Sequence, residues 1–178
     1  MRYVIAIDVG IKNLGFCVFD FVSATFVHWE NVELAHGRYM PMQNVKYVHD
    51  FVDKFRYYFE NSACVLVERQ MRCNMRIVES IFHSLFYDRC IIINPRTLKL
   101  HYGLGTRNYR TNKQRAVEWA EAFIHANPKG FESNVIDPFK NGTKTDDLAD
   151  SLLLVCYYLE TYSNQLSVTP FSIPEDGF

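Results

Sequence analysis

The sequence predicts an α/β fold: a five-stranded mixed sheet flanked by helices, in which a three-stranded antiparallel meander is joined to two parallel strands. First, three strand-like segments at the N-terminus are joined by short connections, which favour antiparallel pairing. Second, two further short apolar segments follow, each after a segment whose hydrophobic period is helical. Strands that alternate with helices favour parallel pairing, so the two patterns together predict a mixed sheet.

Three segments rich in Val, Ile and aromatic residues predict the meander. They are residues 2–9, 15–21 and 25–32. Glycines at positions 10 and 15 bracket the first connection, which suits a turn.

The segments after the meander alternate in period. Residues 42–60 carry apolar side chains at steps of three and four, which predicts an amphipathic helix. Residues 63–68 form a short apolar run and predict the fourth strand. Residues 74–88 predict a second helix, and residues 90–94 a fifth strand that Pro95 ends.

The C-terminal half is predicted to contain a polar loop and two more helices. The loop comprises residues 95–110, and residues 111–127 follow as a helix with one apolar face. The last helix begins at Thr145 or Asp146 and ends near Tyr162.

Length and composition favour one globular domain. The chain has 178 residues, of which 48% are hydrophobic and 15% aromatic, which suits a packed core. No repeat or low-complexity linker divides it, so residues 1–178 are predicted to form a single domain with residues 164–178 as a loose tail. The apolar runs are too short to span a bilayer, and the five cysteines are scattered, so a soluble intracellular protein with free thiols is predicted.

The charge of the chain is unevenly distributed. The formal net charge is -1, yet residues 89–117 contain no Asp or Glu. The basic residues of this segment are Arg89, Arg96, Lys99, Arg107, Arg110, Lys113 and Arg115. A basic segment in a neutral chain indicates a local anionic partner, and a solvated loop is an alternative of equal weight.

Four acidic residues are candidates for a shared site. Asp8 lies near the end of the first predicted strand, and Glu68 ends the fourth. If these strands are parallel neighbours, both carboxylates lie at the carboxyl edge of the sheet, where open α/β sheets bind ligands. Asp147 and Asp150 are three residues apart in a helix, so they share one face.

Carboxylates brought together repel one another unless a cation neutralises them. Hard divalent cations prefer oxygen ligands, so Mg²⁺ or Mn²⁺ fits this set best. Each acid also has an ordinary explanation. Glu68 could pair with Arg69, and Asp147 and Asp150 could be first-turn acids that favour the helix dipole. The residues alone leave both interpretations open.

Four motifs resemble those of a known family. They are "IAIDVGIKNLGF", "LVERQMR", "NKQRAV" and "DDLADSLLL". In this order they are similar to the motifs of the RuvC-like resolvases of the ribonuclease H-like superfamily, and most of all to the poxvirus Holliday junction resolvases. The resemblance covers residues 2 to about 159, and four motifs in order are a specific signal.

The resemblance implies roles for particular residues. The implied catalytic set is Asp8, Glu68, Lys113, Asp147 and Asp150. The four carboxylates would bind two Mg²⁺ ions, for which Mn²⁺ could substitute, and Lys113 would lie close to the scissile phosphate. Asp146 is left as an extra acid, and we interpret it as a helix N-cap with no catalytic role.

The implied function is a structure-selective DNA endonuclease. It would resolve four-way junctions and related branched DNA by paired symmetric cuts, in viral DNA recombination and the processing of genome concatemers. The implied location is the cytoplasm of the infected host cell. No nucleotide cofactor and no membrane are expected. Another ribonuclease H-like nuclease that cleaves RNA–DNA hybrids, or an inert junction-binding protein, remain as alternatives.

Two symmetric cuts imply a homodimer. Apolar residues cover about half of the predicted helix 74–88, more than one sheet requires, so this helix is the candidate interface, with burial under the chain's own loops as the alternative. The candidate DNA-binding residues are Lys12, Arg69, Arg72, Arg76, Arg107, Arg110 and Arg115. Each is placed by its position near the predicted site, and each could equally be an ordinary surface charge.

Overall fold

The computed structural model describes residues 1–142 and 144–162, so the predicted tail at 164–178 lies outside the described residues. The strands are β1 (Tyr3–Asp8), β2 (Leu14–Asp20), β3 (Thr25–Val32), β4 (Ser62–Glu68) and β5 (Cys90–Ile93). The helices are α1 (Asn44–Lys54), α2 (Arg56–Glu60), α3 (Cys73–Leu85), α4 (Pro95–His101), α5 (Tyr109–Ala126), α6 (Asp137–Asn141) and α7 (Thr145–Tyr162). A 3₁₀ turn, Pro41–Gln43, precedes α1.

The strands form one mixed sheet in the order β3-β2-β1-β4-β5. β1, β2 and β3 are antiparallel, whereas β1, β4 and β5 run parallel. The predicted fold class is therefore confirmed. The register places Ile7 of β1 beside Val67 of β4, so the residues that follow them, Asp8 and Glu68, end their strands side by side.

The two faces of the sheet carry separate hydrophobic cores. Val4 and Ala6 of β1 pack on the side of α4, α5 and α7, whereas Ile5 and Ile7 pack on the side of α1 and α3. Side chains alternate along a strand, so Asp8 has the same orientation as Ala6. Glu68 likewise has the orientation of Leu66, which belongs to the core under α7. Both acids therefore face α7.

Helix α7 crosses the centre of the sheet and contacts four of its strands. Its residues from Leu148 to Cys156 are buried without interruption, as expected for a helix that is apolar all round. The indole N–H of Trp29 on β3 donates to the Leu148 carbonyl at 3.0 Å and to Ser151 Oγ at 3.2 Å. These bonds fix the first turns of α7 against the meander.

The predicted polar loop at 95–110 is wrong in its first half, because α4 forms there. The Asn94 side chain accepts a hydrogen bond from the Arg96 backbone N–H, and Pro95 occupies the first helical position. Asn and Pro are favoured at these two positions, and the burial of Leu98 anchors the helix. The short helix α6 was also not predicted from the sequence.

The predicted helix 42–60 is divided by a break at Phe55, whose φ and ψ are -109° and 24°. The ring of Phe55 packs 4.5 Å from that of Phe16, and the break allows this aromatic contact. Val45, which the periodicity placed on the apolar face, is 56% exposed. Among the described residues, no helix is both long enough and apolar enough to cross a bilayer.

Candidate active site

Asp8 and Glu68 lie under α7, and only 8% and 9% of their surfaces are exposed. Burial, and then the charge of Glu68, raise the pKa of Asp8 well above its ordinary value. Burial and the charge of Asp150 raise the pKa of Glu68 to about 7. The fold thus holds two acids together although burial and their mutual repulsion disfavour ionisation of both.

Asp147 and Asp150 reach the same place from the first turns of α7. Burial is the largest cause that raises the pKa of Asp150, and the ammonium of Lys99 partly offsets it. Burial and the charge of Asp146 raise the pKa of Asp147 to about 6. Sequence spacing placed these two acids on one face, and the structure brings both to the ends of β1 and β4.

Gly15 allows α7 to approach the sheet this closely. It pairs with Asp8 across β1 and β2, on the face that α7 covers. A Cβ atom at Gly15 would overlap the Asp147 carbonyl oxygen and lie 2.9 Å from its carbon. Only glycine leaves room for the helix backbone at this point. The position of Asp147 therefore depends on the missing side chain of Gly15.

Lys113 lies at the N-terminal end of α5, and its ammonium pairs with Asp146. The same ammonium lies 3.8 Å from Oδ1 of Asp147. Burial disfavours the charged lysine, but its hydrogen bond to Asp146 and the two carboxylate charges outweigh burial and raise the pKa of Lys113. Asp146 lies inside the first turn of α7, so its predicted role as an N-cap is wrong. It holds Lys113 instead.

Lys99 belongs to the site although the sequence analysis gave it no role. Its Nζ lies 3.3 Å from Oδ1 and 3.4 Å from Oδ2 of Asp150. Burial alone would lower the pKa of Lys99, but the charges of Asp150 and Glu68 raise it. The sequence feature that could have pointed to Lys99 is the Asn-Pro pair at the start of α4, because it places Lys99 in a helix rather than in a solvated loop.

A cavity of about 510 Å³ opens over these residues. Its lining includes Asp8, Glu68, Asp147, Asp150, Lys99 and Lys113. A larger cavity, about 870 Å³, lies between α5 and α6, and none of the predicted site residues lines it. The smaller cavity is therefore the candidate site.

The donor set of this cavity fits a divalent cation. The acidic groups that line it are carboxylates, and Oδ1 of Asp150 is buried with no hydrogen-bond partner despite the nearby lysine. A raised pKa means that the ionised form of a carboxylate is disfavoured, and a bound cation would favour that form. Within residues 1–142 and 144–162, however, no three acidic, His or Cys side chains already form a metal-binding group. Lysines neutralise part of the carboxylate charge in this structure.

The predicted DNA-binding residues are in different surroundings. Arg69 and Arg72 line the cavity, whereas Arg76 lies in a groove between α1 and α3. Arg107 and Arg110 are exposed near the start of α5, and Arg115 is partly buried on that helix.

Lys12 is engaged elsewhere. It pairs with Glu33 and donates to the backbone carbonyls of Ala35 at 3.0 Å and Gly37 at 2.9 Å. These bonds brace the loop after β3, so this structure gives the predicted DNA role of Lys12 no support.

Two further residues shape the site and left no clear sequence signal. Glu79 on α3 is 8% exposed, and its Oε2 accepts the backbone N–H of Gln70 at 2.6 Å, which orders the chain after Glu68. Tyr109 lines the cavity and is 70% exposed. Its ring centroid lies 5.3 Å from the Lys113 ammonium, within the range of a cation–π contact.

The five-stranded mixed sheet, in the order β3-β2-β1-β4-β5, defines a fold class that several solved structures share with this chain. The yeast mitochondrial Holliday junction resolvase Ydc2 has 18% identity and a TM-score of 0.66, covering 85% of this chain and 76% of its own. The fowlpox virus Holliday junction resolvase has 22% identity and a TM-score of 0.63, covering 89% and 97%.

A more distant structure is Thermus thermophilus RuvC in complex with a Holliday junction substrate, with 14% identity and a TM-score of 0.52, covering 92% and 98%. A search of curated proteins gave no match. The model of the family described as "Poxvirus A22 protein" matches residues 2–161. The chain belongs to this family.

The close approach at Gly15 gives a testable prediction. Gly15→Ala should lower the free energy of unfolding by about 1–3 kcal/mol, because α7 or the strand must shift to admit the methyl group. The measurement is urea denaturation of both proteins.

Gly105→Ala is the matched control, since its Cβ would meet Leu100 Cδ2 at an ordinary 3.6 Å. It should change stability by less than about 0.5 kcal/mol. Equal stability of the Gly15→Ala variant and the unsubstituted protein would show that α7 does not depend on this glycine.

Proposed function

We propose that this chain is a structure-selective DNA endonuclease that resolves four-way junctions by paired symmetric cleavage of phosphodiesters. The observation that carries the proposal is the convergence of Asp8, Glu68, Asp147 and Asp150 in one cavity. Membership of the poxvirus family supports it. So does the fold of the fowlpox virus resolvase, which has been solved with Holliday junction DNA.

The proposed cofactor is a pair of Mg²⁺ ions held by these four carboxylates, with Mn²⁺ as a substitute. Hard oxygen donors suit both cations. Burial, and then the charges of neighbouring acids, raise the pKa of Asp8, Glu68 and Asp147, and a bound cation would favour their charged forms. When bound, such ions supply a water of lowered pKa and a Lewis acid for the leaving oxygen.

Side chains of this protein hold the carboxylates in place and would stabilise the charge that develops on the phosphate. Asp8 and Glu68 are buried beneath α7, and Asp150 is buried on that helix, so the fold sets the positions of these three side chains. Lys113, held by Asp146 beside Asp147, offers a fixed ammonium to the negative charge that develops on the phosphate.

The basic residues around the cavity are proposed to bind the DNA backbone. Arg69 and Arg72 line the cavity itself, so they are the nearest to a strand entering it. Arg107, just before α5, and Arg110 and Arg115 on α5 extend the positive charge. Arg76 lies in the groove between α1 and α3, apart from the cavity. Phosphate contacts of this kind fix the register of a nucleic acid without reading its sequence.

A homodimer is proposed because paired cuts need two sites related by symmetry. Its interface would be the outer face of α1 and α3, where a groove of about 470 Å³ is lined mainly by apolar surface. Val45, Ile77 and Leu85 on this groove are 56%, 47% and 37% exposed. Adjacent apolar side chains left open to water mark an interaction surface.

The remaining parts of the proposal rest on the fold and the family. A single domain for residues 1–178 is supported by one sheet that organises the described residues. Action in the cytoplasm of an infected cell, during recombination and concatemer processing, is proposed from the family alone.

Asp147→Asn tests the site. It removes one ligand charge, so cleavage of a synthetic four-way junction should fall by roughly 10²-fold or more. Junction binding, measured by gel shift in Ca²⁺, should change little, because the arginines are untouched.

Asp137→Asn is the control, since Asp137 is an exposed first-turn acid of α6 away from the cavity. Normal cleavage by Asp147→Asn would refute the site assignment. Cleavage of RNA–DNA hybrids in preference to junctions would favour the alternative nuclease, and junction binding without any metal-dependent cutting would favour an inert binding protein.

Ile77→Asp tests the dimer face. A carboxylate on this exposed apolar surface should convert the dimer to a monomer in light scattering and turn paired cuts into single nicks. Leu100→Asp is the matched control, because Leu100 is a 63% exposed leucine on α4, outside the α1 and α3 groove. An unchanged dimer in the Ile77→Asp variant would exclude this face.

A further inference from the structure

We propose that Lys99 is a built-in counter-ion of the carboxylate site, which pairs with Asp150 in the absence of a divalent cation and thereby weakens cation binding. The proposal rests on the proposed function, because it concerns how the proposed metal site is loaded. Nothing in the motifs singled out Lys99, and its role follows from where α4 places it.

The first observation is the geometry of the ion pair. The Lys99 ammonium lies 3.3 Å from one oxygen of Asp150 and 3.4 Å from the other. The two side chains are only 13% and 8% exposed. A pair this deep is weakly screened by solvent and salt, unlike a pair at the surface.

The second observation is that α4 is held firmly. Leu98 is fully buried beside Lys99. At the end of the helix, Glu160 of α7 accepts a hydrogen bond from the Tyr102 hydroxyl at 2.5 Å and lies 2.8 Å from His101 Nε2. Lys99 is therefore delivered to the cavity by a helix tied to α7, the same helix that carries Asp150.

The third observation is the division of positive charge within the cavity. Lys113 is paired with Asp146 and lies near Asp147. Lys99 faces Asp150, with Glu68 and Asp8 also close enough to favour its charged form. Each lysine thus neutralises a different part of the acidic set, and Lys99 serves the most buried part.

Competition follows from the shared carboxylate. Asp150 is a proposed metal ligand, and a cation that approaches it meets the positive charge of Lys99 and must replace its hydrogen bond. Two positive charges close together in a poorly solvated cavity repel each other, so the ammonium opposes the approach of the cation.

The test uses the whole chain without DNA and compares Lys99→Met with the unsubstituted protein. Methionine keeps much of the length and apolar contact of lysine but removes its charge. Two quantities are measured: the melting temperature in EDTA, and the dissociation constant for Mn²⁺ by calorimetry. The proposal predicts a lower melting temperature without metal and Mn²⁺ binding about tenfold tighter or more.

Two control variants accompany the test. Lys99→Arg keeps the charge and should keep the weaker Mn²⁺ affinity of the unsubstituted protein. Lys140→Met removes an exposed lysine of α6 that lies outside the carboxylate cavity, and it should change neither quantity. If Lys99→Met does not fold, Lys99→Gln takes its place in the same comparison.

The outcomes separate this inference from the proposed function. Mn²⁺ bound equally or more weakly by Lys99→Met than by the unsubstituted protein would overturn the counter-ion role and leave the metal site standing. Absence of Mn²⁺ binding in every variant, Lys99→Met included, would overturn the metal site itself. Tighter binding in Lys99→Met together with unchanged binding in Lys99→Arg would support the inference.

Discussion

The burial of acidic groups beneath α7 is the constraint on which the rest of this structure depends. Asp8, Glu68 and Asp150 are each at least nine-tenths buried and face one cavity. Carboxylates so placed are costly unless something neutralises them. The fold meets this cost with lysines on α4 and α5, and it keeps the acids close through the missing side chain of Gly15. In the metal site we propose, bound cations would relieve the repulsion between these carboxylates.

Much of the fold was accessible from the sequence because its signals are local. Segments rich in Val, Ile and aromatic residues with short connections predicted the meander, and the change of period predicted the parallel strands. The four acids were also predictable, since each sits at the end of a strand or the start of a helix, and the parallel pairing of β1 with β4 brings two of them together. The order of the elements and the assumed parallel pairing of β1 with β4 were sufficient to place these acids near one another.

The features that could not be predicted depend on contacts between segments that are far apart in the sequence. The basic segment was visible, but which lysine meets which acid depends on how α4 and α5 pack against α7. Asp146 was misjudged for this reason, because it holds Lys113. The contacts of Lys12 with the loop after β3 could not be predicted for the same reason. The break at Phe55 likewise reflects an aromatic contact with β2 that periodicity does not contain.

The central claim is that the four carboxylates form one metal site. Its most direct measurement is anomalous diffraction from crystals of the protein grown with Mn²⁺ and a branched DNA. The account predicts anomalous peaks in the cavity bounded by Asp8, Glu68, Asp147 and Asp150, with carboxylate oxygens at about 2.0–2.3 Å from the ions. Peaks confined to other surfaces, with Asp150 still paired to Lys99 and Asp147 still beside Lys113, would contradict it.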